Sequence, residues 1–210
     1  MDSTLTLKSN SFKFNYFHLL ILIGLTASVF ILTHVLTVKH VVETATVFTF
    51  EDAEGLMEEV YNSGTITEAL KNLPLDAAIV KKMCEEIAQQ LAKTIDHQGC
   101  EVYKLVALQN SEYPVLGYGD VISGFEFLRT GEVWKIGMTC NGEEGRYSGD
   151  KFYKSKDGAV EMTKDMLRYQ PVFKGTYKQA IILEKILIYT YPLWSGHPEY
   201  LKPFGNKIFR

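Results

Sequence analysis

The chain has 210 residues, 46% hydrophobic and 22% charged, with a formal net charge of −3. Those values fit an ordinary globular domain plus an appendage, and with no repeat or biased tract they exclude a solenoid or low-complexity chain. Charge is divided unequally: 19 acidic face 10 basic residues over Met1–Gly145, against 6 and 12 over Arg146–Arg210. A basic C-terminal third is compatible with a polyanionic partner.

In chain order, a tail over 1–15 precedes Tyr16–Leu36, which contains no Asp, Glu, Lys or Arg. A run of about 20 such residues is long enough to span a hydrocarbon core, so one transmembrane helix over 16–38 is expected, with the lipid membrane as partner. Lys8 and Lys13 before it and Lys39 after it lean toward an inside N-terminus. An acidic helical spacer is expected over 39–100. Its first part, Glu43–Leu70, carries seven Asp/Glu and no Lys or Arg. Thr65-Ile-Thr-Glu68 reads as a capping box, Pro74 breaks the pattern, and Leu75–Asp96 has the apolar spacing of an amphipathic helix. Cys84, Cys100 and Cys140 form an odd set with no close pair, which predicts free thiols rather than a disulfide framework or zinc knuckle.

Residues 101–210 read as one α/β (α+β) domain, a small antiparallel sheet flanked by helices. Glu101–Leu108 is strand material. Gly124–Leu128 and Glu132–Met138 flank Arg129-Thr-Gly131 and read as a hairpin. A glycine-rich loop spans Cys140–Asp150, a helix is predicted near Gly158–Tyr169, and Gln170–Lys174 is a further strand. Thr176 and Gln179 supply a capping box for a helix over Thr176–Tyr191. The tail His197–Arg210 is expected to wrap the surface.

That last helix holds a conspicuous carboxylate. At 100° per residue, Tyr177, Ala180, Ile181, Leu187, Ile188 and Tyr191 fall within about 60° of Glu184, while Lys178, Lys185, Tyr189 and Thr190 point elsewhere. A carboxylate among apolar neighbours needs compensation. Arg146, a divalent metal, or both are the candidates.

Trp134-Lys-Ile-Gly-Met-Thr139, then Arg146-Tyr147, then Glu184 resembles the order of motifs in the GIY-YIG endonuclease superfamily. The resemblance covers about Tyr118–Arg210, and Phe204-Gly-Asn-Lys-Ile-Phe-Arg210 is similar to the ending of many bacterial members. It implies a GIY-YIG-like domain over 101–210 that hydrolyses DNA phosphodiester bonds. Gly124-Phe125-Glu126-Phe127 would be the first motif's strand and Lys135-Ile136-Gly137 the second motif. Arg146 would act on the scissile phosphate and Glu184 would hold Mg²⁺ or Mn²⁺. Gly137, Thr139 and Asn206 would line the substrate. The chemistry suits these residue types, since a guanidinium fork and a metal held by one carboxylate can both stabilise charge on a phosphate. Phe125 or Phe127 and Lys135 stand where the family has tyrosines, so the general base is expected to be Lys135 or Tyr147, with Tyr153 and Tyr118 as further phenols. His197 reads as a loop histidine, Trp134 as core, and Cys140 as a loop thiol.

Two other functions fit the same residues. One is a catalytically inactive nucleic-acid-binding or protein-interaction domain on a membrane tether. The other is a translocated antibacterial nuclease effector.

Overall fold

A computed structural model describes residues 48–147 and 149–207. The span expected over 16–38 lies outside them. Among the described residues no helix is long and apolar enough to cross a membrane.

The elements are α1 (Phe50–Ser63), α2 (Glu68–Lys71), α3 (Ala77–Lys93), β1 (Gln98–Ala107), β2 (Ser111–Leu116), β3 (Ile122–Leu128), β4 (Val133–Thr139), α4 (Gly142–Arg146), β5 (Lys151–Lys154), β6 (Glu161–Thr163), β7 (Leu167–Thr176), α5 (Tyr177–Tyr189) and α6 (Tyr191–Trp194). The fold is α+β, with a small antiparallel sheet flanked by helices. The main sheet has the order β4-β1-β7, and β2-β3 and β5-β6 form separate two-stranded ribbons.

β1 is central because its side chains are apolar on both faces. Val102 and Val106 pack with Ala53, Met57 and Val60 of α1, Met83 and Ile87 of α3, and the buried residues of α5. Tyr103, Leu105 and Ala107 pack on the other side with Tyr113, Leu116, Trp134, Leu167 and Phe204. This is the period-two alternation of a strand covered on both faces. The described helices of the acidic segment thus share a core with the sheet.

Local signals placed several elements. Thr176 and Gln179 cap α5 reciprocally: the Gln179 N–H donates to Thr176 Oγ1 at 3.2 Å and the Thr176 N–H to Gln179 Oε1 at 2.9 Å. The strand expected over Gln170–Lys174 lies within β7, and the amphipathic helix over Leu75–Asp96 is α3.

Other expectations are corrected. Glu132–Met138 does not form a hairpin with Gly124–Leu128: β4 pairs with β1, and β3 pairs with β2. The physical reason is burial. β4 is covered on both faces, whereas β3 leaves Phe125 and Phe127 exposed. No helix forms near 158–169. Asp157-Gly158, with Gly158 at φ +74, turns β5 back onto β6, and Met162 and Leu167 are buried against the second core. The short α2 is capped by Thr67, not Thr65. The tail does not merely wrap the surface, since Phe204 and Asn206 are buried. Cys100 and Cys140 are joined in a disulfide, because the pairing of Glu101 with Thr139 places the two cysteines side by side across β1 and β4.

α5 is buried on nearly all sides, so the single apolar stripe expected around Glu184 is too narrow a description. Lys185, expected to point away, is 3% exposed, and its Nζ donates to Glu86 Oε2 of α3 at 2.5 Å. Removing one member of a buried pair strands the other's charge. Glu86→Ala should therefore lower unfolding stability by about 3–5 kcal/mol, and adding Lys185→Met should recover most of that loss, measured by urea denaturation.

Candidate active site

A narrow cleft of about 90 Å³ opens beside the edge of β4. β1 contributes Tyr103, β4 contributes Lys135, Ile136 and Gly137, α4 ends in Arg146, and α5 supplies Glu184, Lys185 and Ile188. The tail closes it with Gly205, Asn206 and Lys207.

The tail is held by main-chain mimicry. The Asn206 side-chain amide donates to Ile136 O at 2.8 Å and accepts from the Ile136 N–H at 2.9 Å, which satisfies the open edge of β4. The Gly205 N–H donates to Trp134 O at 2.6 Å. A Cβ on Gly205 would lie 2.7 Å from the Trp134 ring, so only glycine lets the chain approach so closely. Lys202 Nζ donates to Leu116 O and to Asn206 O, securing the turn from behind.

The phenols form the second feature. Tyr103 lies opposite Gly137 in the β1–β4 ladder. A Cβ on Gly137 would come within 2.4 Å of the Tyr103 hydroxyl oxygen, so glycine there makes room for the ring. The Tyr103 and Tyr147 hydroxyls share a hydrogen bond of 2.7 Å. Burial pushes the Tyr103 phenol above its ordinary value, while Tyr147 and Arg146 act in the opposite direction. Burial also pushes the Tyr147 phenol up, and its bond to Tyr103 adds to the rise. Arg146 is exposed as a residue, with its guanidinium carbon 6.0 Å from the Tyr147 ring centroid and Lys135 Nζ 5.8 Å from the same centroid.

Arg146, Glu184, Lys135, Gly137 and Asn206 therefore come together from three elements and the tail. Tyr147 stands behind Tyr103, 8% exposed. Thr139 is buried outside the cleft lining, where its Oγ1 accepts from the Asn141 N–H at 3.1 Å and turns the chain toward α4. Trp134 is core, its indole N–H donating to Pro114 O at 2.9 Å. His197 lies between Glu132 and Glu199, Tyr118 is exposed, and Tyr153 packs 6.2 Å from Trp134.

The strand beside Lys135-Ile136-Gly137 is β1, which brings Tyr103 there, whereas Phe125 and Phe127 lie on β3, paired with β2. Sequence reasoning missed Tyr103, along with Lys207. The available signal was a tyrosine inside the apolar run Glu101–Leu108, which acquires meaning only once β1 is laid against β4.

As for a metal, Glu184 is the one carboxylate lining the cleft among the described residues. A single carboxylate suits Mg²⁺ or Mn²⁺ that takes its other ligands from water and phosphate, so the residues fit such an ion in that limited sense. Among the described residues the cluster of potential ligands is elsewhere, at His97, Cys100 and Cys140, and two of these are in the disulfide.

A scan against protein-family models, a search of curated proteins and a search of solved structures each gave no match.

Gly137→Ala should cost about 1–3 kcal/mol by forcing the Tyr103 ring to move. Gly124→Ala, where an added Cβ meets nothing within 4 Å, should stay within about 0.5 kcal/mol. Thermal denaturation separates the two. The phenols predict an alkaline limit. Tyr103 and Tyr147 hold their protons more tightly folded than unfolded, so their contribution is complete below the ordinary tyrosine value of about 10 and is lost as pH rises past it. Tm should fall from pH 9 to pH 11, and Tyr103→Phe should reduce that fall.

Proposed function

We propose that the domain is a GIY-YIG-type, metal-dependent endonuclease that hydrolyses DNA phosphodiester bonds. The observation that carries this reading is the convergence of Arg146, Glu184, Lys135 and Tyr103 on one cleft from positions up to 81 residues apart in the sequence.

Arg146 presents two N–H groups to the non-bridging phosphate oxygens and neutralises charge as water adds to phosphorus. Tyr103 first gives its own proton to solvent; as the phenolate it takes the proton from the attacking water, and the Tyr147 hydroxyl, 2.7 Å away, donates a hydrogen bond to that oxygen before transfer. Glu184 would hold Mg²⁺ or Mn²⁺. That ion, when bound, supplies further positive charge on the phosphate and leaving oxygen. Lys135 and Lys207 flank the phosphate path. Lys135 is the second candidate for the base, and Tyr147 is a supporting phenol.

A membrane-anchored nuclease with its span over 16–38 is the leading form of this reading. A translocated nuclease effector is favoured by one observation, the Cys100–Cys140 disulfide, since such bonds persist in oxidising compartments.

The test uses the full chain, because β1 is central and a fragment beginning at Ser111 would lack it. Incubation with plasmid DNA and Mg²⁺ should nick or linearise the plasmid, and Glu184→Gln or Arg146→Ala should each slow this by about 10²-fold or more. The rate should still be rising with pH beyond the ordinary tyrosine value of about 10, because burial holds the Tyr103 proton more tightly, and Tyr103→Phe should flatten that rise. DNA binding without cleavage by the wild type would favour the inactive binding domain, and a flat profile in Lys135→Met instead would transfer the base to lysine.

A further inference from the structure

The Cys100–Cys140 bond lies away from the cleft lining and has an imidazole beside one sulfur. Cys100 is 1% exposed, whereas Cys140 is half-buried and is the less enclosed residue of the two. His97 Nδ1 stands 3.1 Å from Gln98 O and 3.9 Å from Cys100 Sγ, and one ring nitrogen and the two sulfurs lie within 4.8 Å of one another. The imidazole is held in place: it stacks on Tyr177 with centroids 5.1 Å apart and planes 11° from parallel, and the Tyr177 N–H donates to His97 O at 2.8 Å. An open hollow of about 470 Å³, lined in part by Gln98, Glu101, Gly142 and Lys174, adjoins Cys100.

We propose that Cys100–Cys140 is a thiol–disulfide exchange site for a dithiol reductant, with His97 as the proton donor. The attacking thiolate bonds to Cys140 Sγ, the S–S bond breaks, and its electron pair leaves on Cys100 Sγ. Exchange is faster when the departing sulfur is stabilised. His97 Nδ1 gives Cys100 that proton. The second thiolate of the dithiol then attacks its own sulfur in the mixed disulfide and releases Cys140, which takes a proton from water. The dithiol loses two electrons and two protons and becomes a disulfide, and the two cysteines gain them.

The bond's position gives exchange a structural consequence. Cys140 immediately precedes the segment 141–147, which carries Arg146. That segment is held at its start by the disulfide, in its middle by the Glu143–Lys164 ion pair at 3.3 Å, and at its end by the Tyr147–Tyr103 hydrogen bond. Reduction removes the first of these three.

The experiment treats the full chain in detergent micelles with dithiothreitol, alkylates it, and counts thiols by mass while far-UV circular dichroism monitors folding. Two thiols should appear in addition to that of Cys84, with the dichroism unchanged. His97→Phe, which keeps a ring over Tyr177 but has no proton to give, should slow their appearance at pH 6.5 by at least about tenfold. Hydrogen exchange of amides 141–147 should quicken by at least about threefold on reduction, and likewise in Cys140→Ser. Thiols that appear only after the dichroism is lost, a smaller slowing in His97→Phe, or unchanged amide exchange would overturn the proposal. None of these readouts involves DNA, so failure here is distinguishable from failure of the nuclease reading.

Discussion

The ladder between β1 and β4 decides what the cleft contains. Tyr103 faces Gly137 and Leu105 faces Lys135, so one face of this pair brings a phenol, a gap and an ammonium together. Side chains alternate with a period of two, so a slip of one residue would turn Tyr103 toward the helices and Val102 toward the cleft. One covalent bond and one irregularity in the ladder oppose that slip. The Cys100–Cys140 bond pins one end, and a bulge at Leu105/Val106 shifts the register at the other. The apolar cores on both faces of β1 penalise the same slip, since it would exchange the side chains fitted to each core and turn Lys104 into the second one.

α5 extends this logic to the second side of the cleft. Because the helix is enclosed by α1, α3 and the sheet, its rotation is set by packing, and Glu184 is its least buried position between Ile181 and Thr190. Lys185, one residue on, is turned into the protein and needs Glu86 there. Asp96 reinforces the arrangement by accepting from the Lys178 N–H at 2.9 Å, at the first turn of the helix. The tail then completes the cleft through Asn206, whose two hydrogen bonds to Ile136 need the edge of β4 to stay open. Among the described residues no second strand pairs with that edge, and the tail takes the place of one.

The elements legible in the sequence were those whose signals are local. α5 has its capping box at Thr176 and Gln179, and α3 has apolar spacings of three and four. Arg146 and Glu184 could be singled out because their residue types and order are informative before any strand is paired. What the sequence concealed depends on partner choice. Arg129-Thr-Gly131 is a plausible turn between β3 and β4, but the burial of both β4 faces draws that strand to β1. Composition near Met162 favours a helix, but Asp157-Gly158 and the demand for apolar cover on the second core favour two short strands. Tyr103 and the disulfide were hidden for the same reason as each other. Both arise from residues 34 to 40 apart that meet only across the ladder.

The charge in the cleft bears on how a metal and a phosphate would enter it. Lys135, Arg146, Lys185 and Lys207 line it with Glu184, and Lys185 already answers to Glu86. Four basic side chains and one carboxylate thus line the cleft. A divalent ion arriving alone would meet a net positive wall, and a single carboxylate would supply too few ligands to offset it. A phosphodiester arriving first would be attracted by the same wall and would bring additional anionic oxygens to Glu184. Under the nuclease reading, those charges would favour a phosphate-bearing ligand over a free cation, and metal affinity would follow from substrate binding rather than precede it.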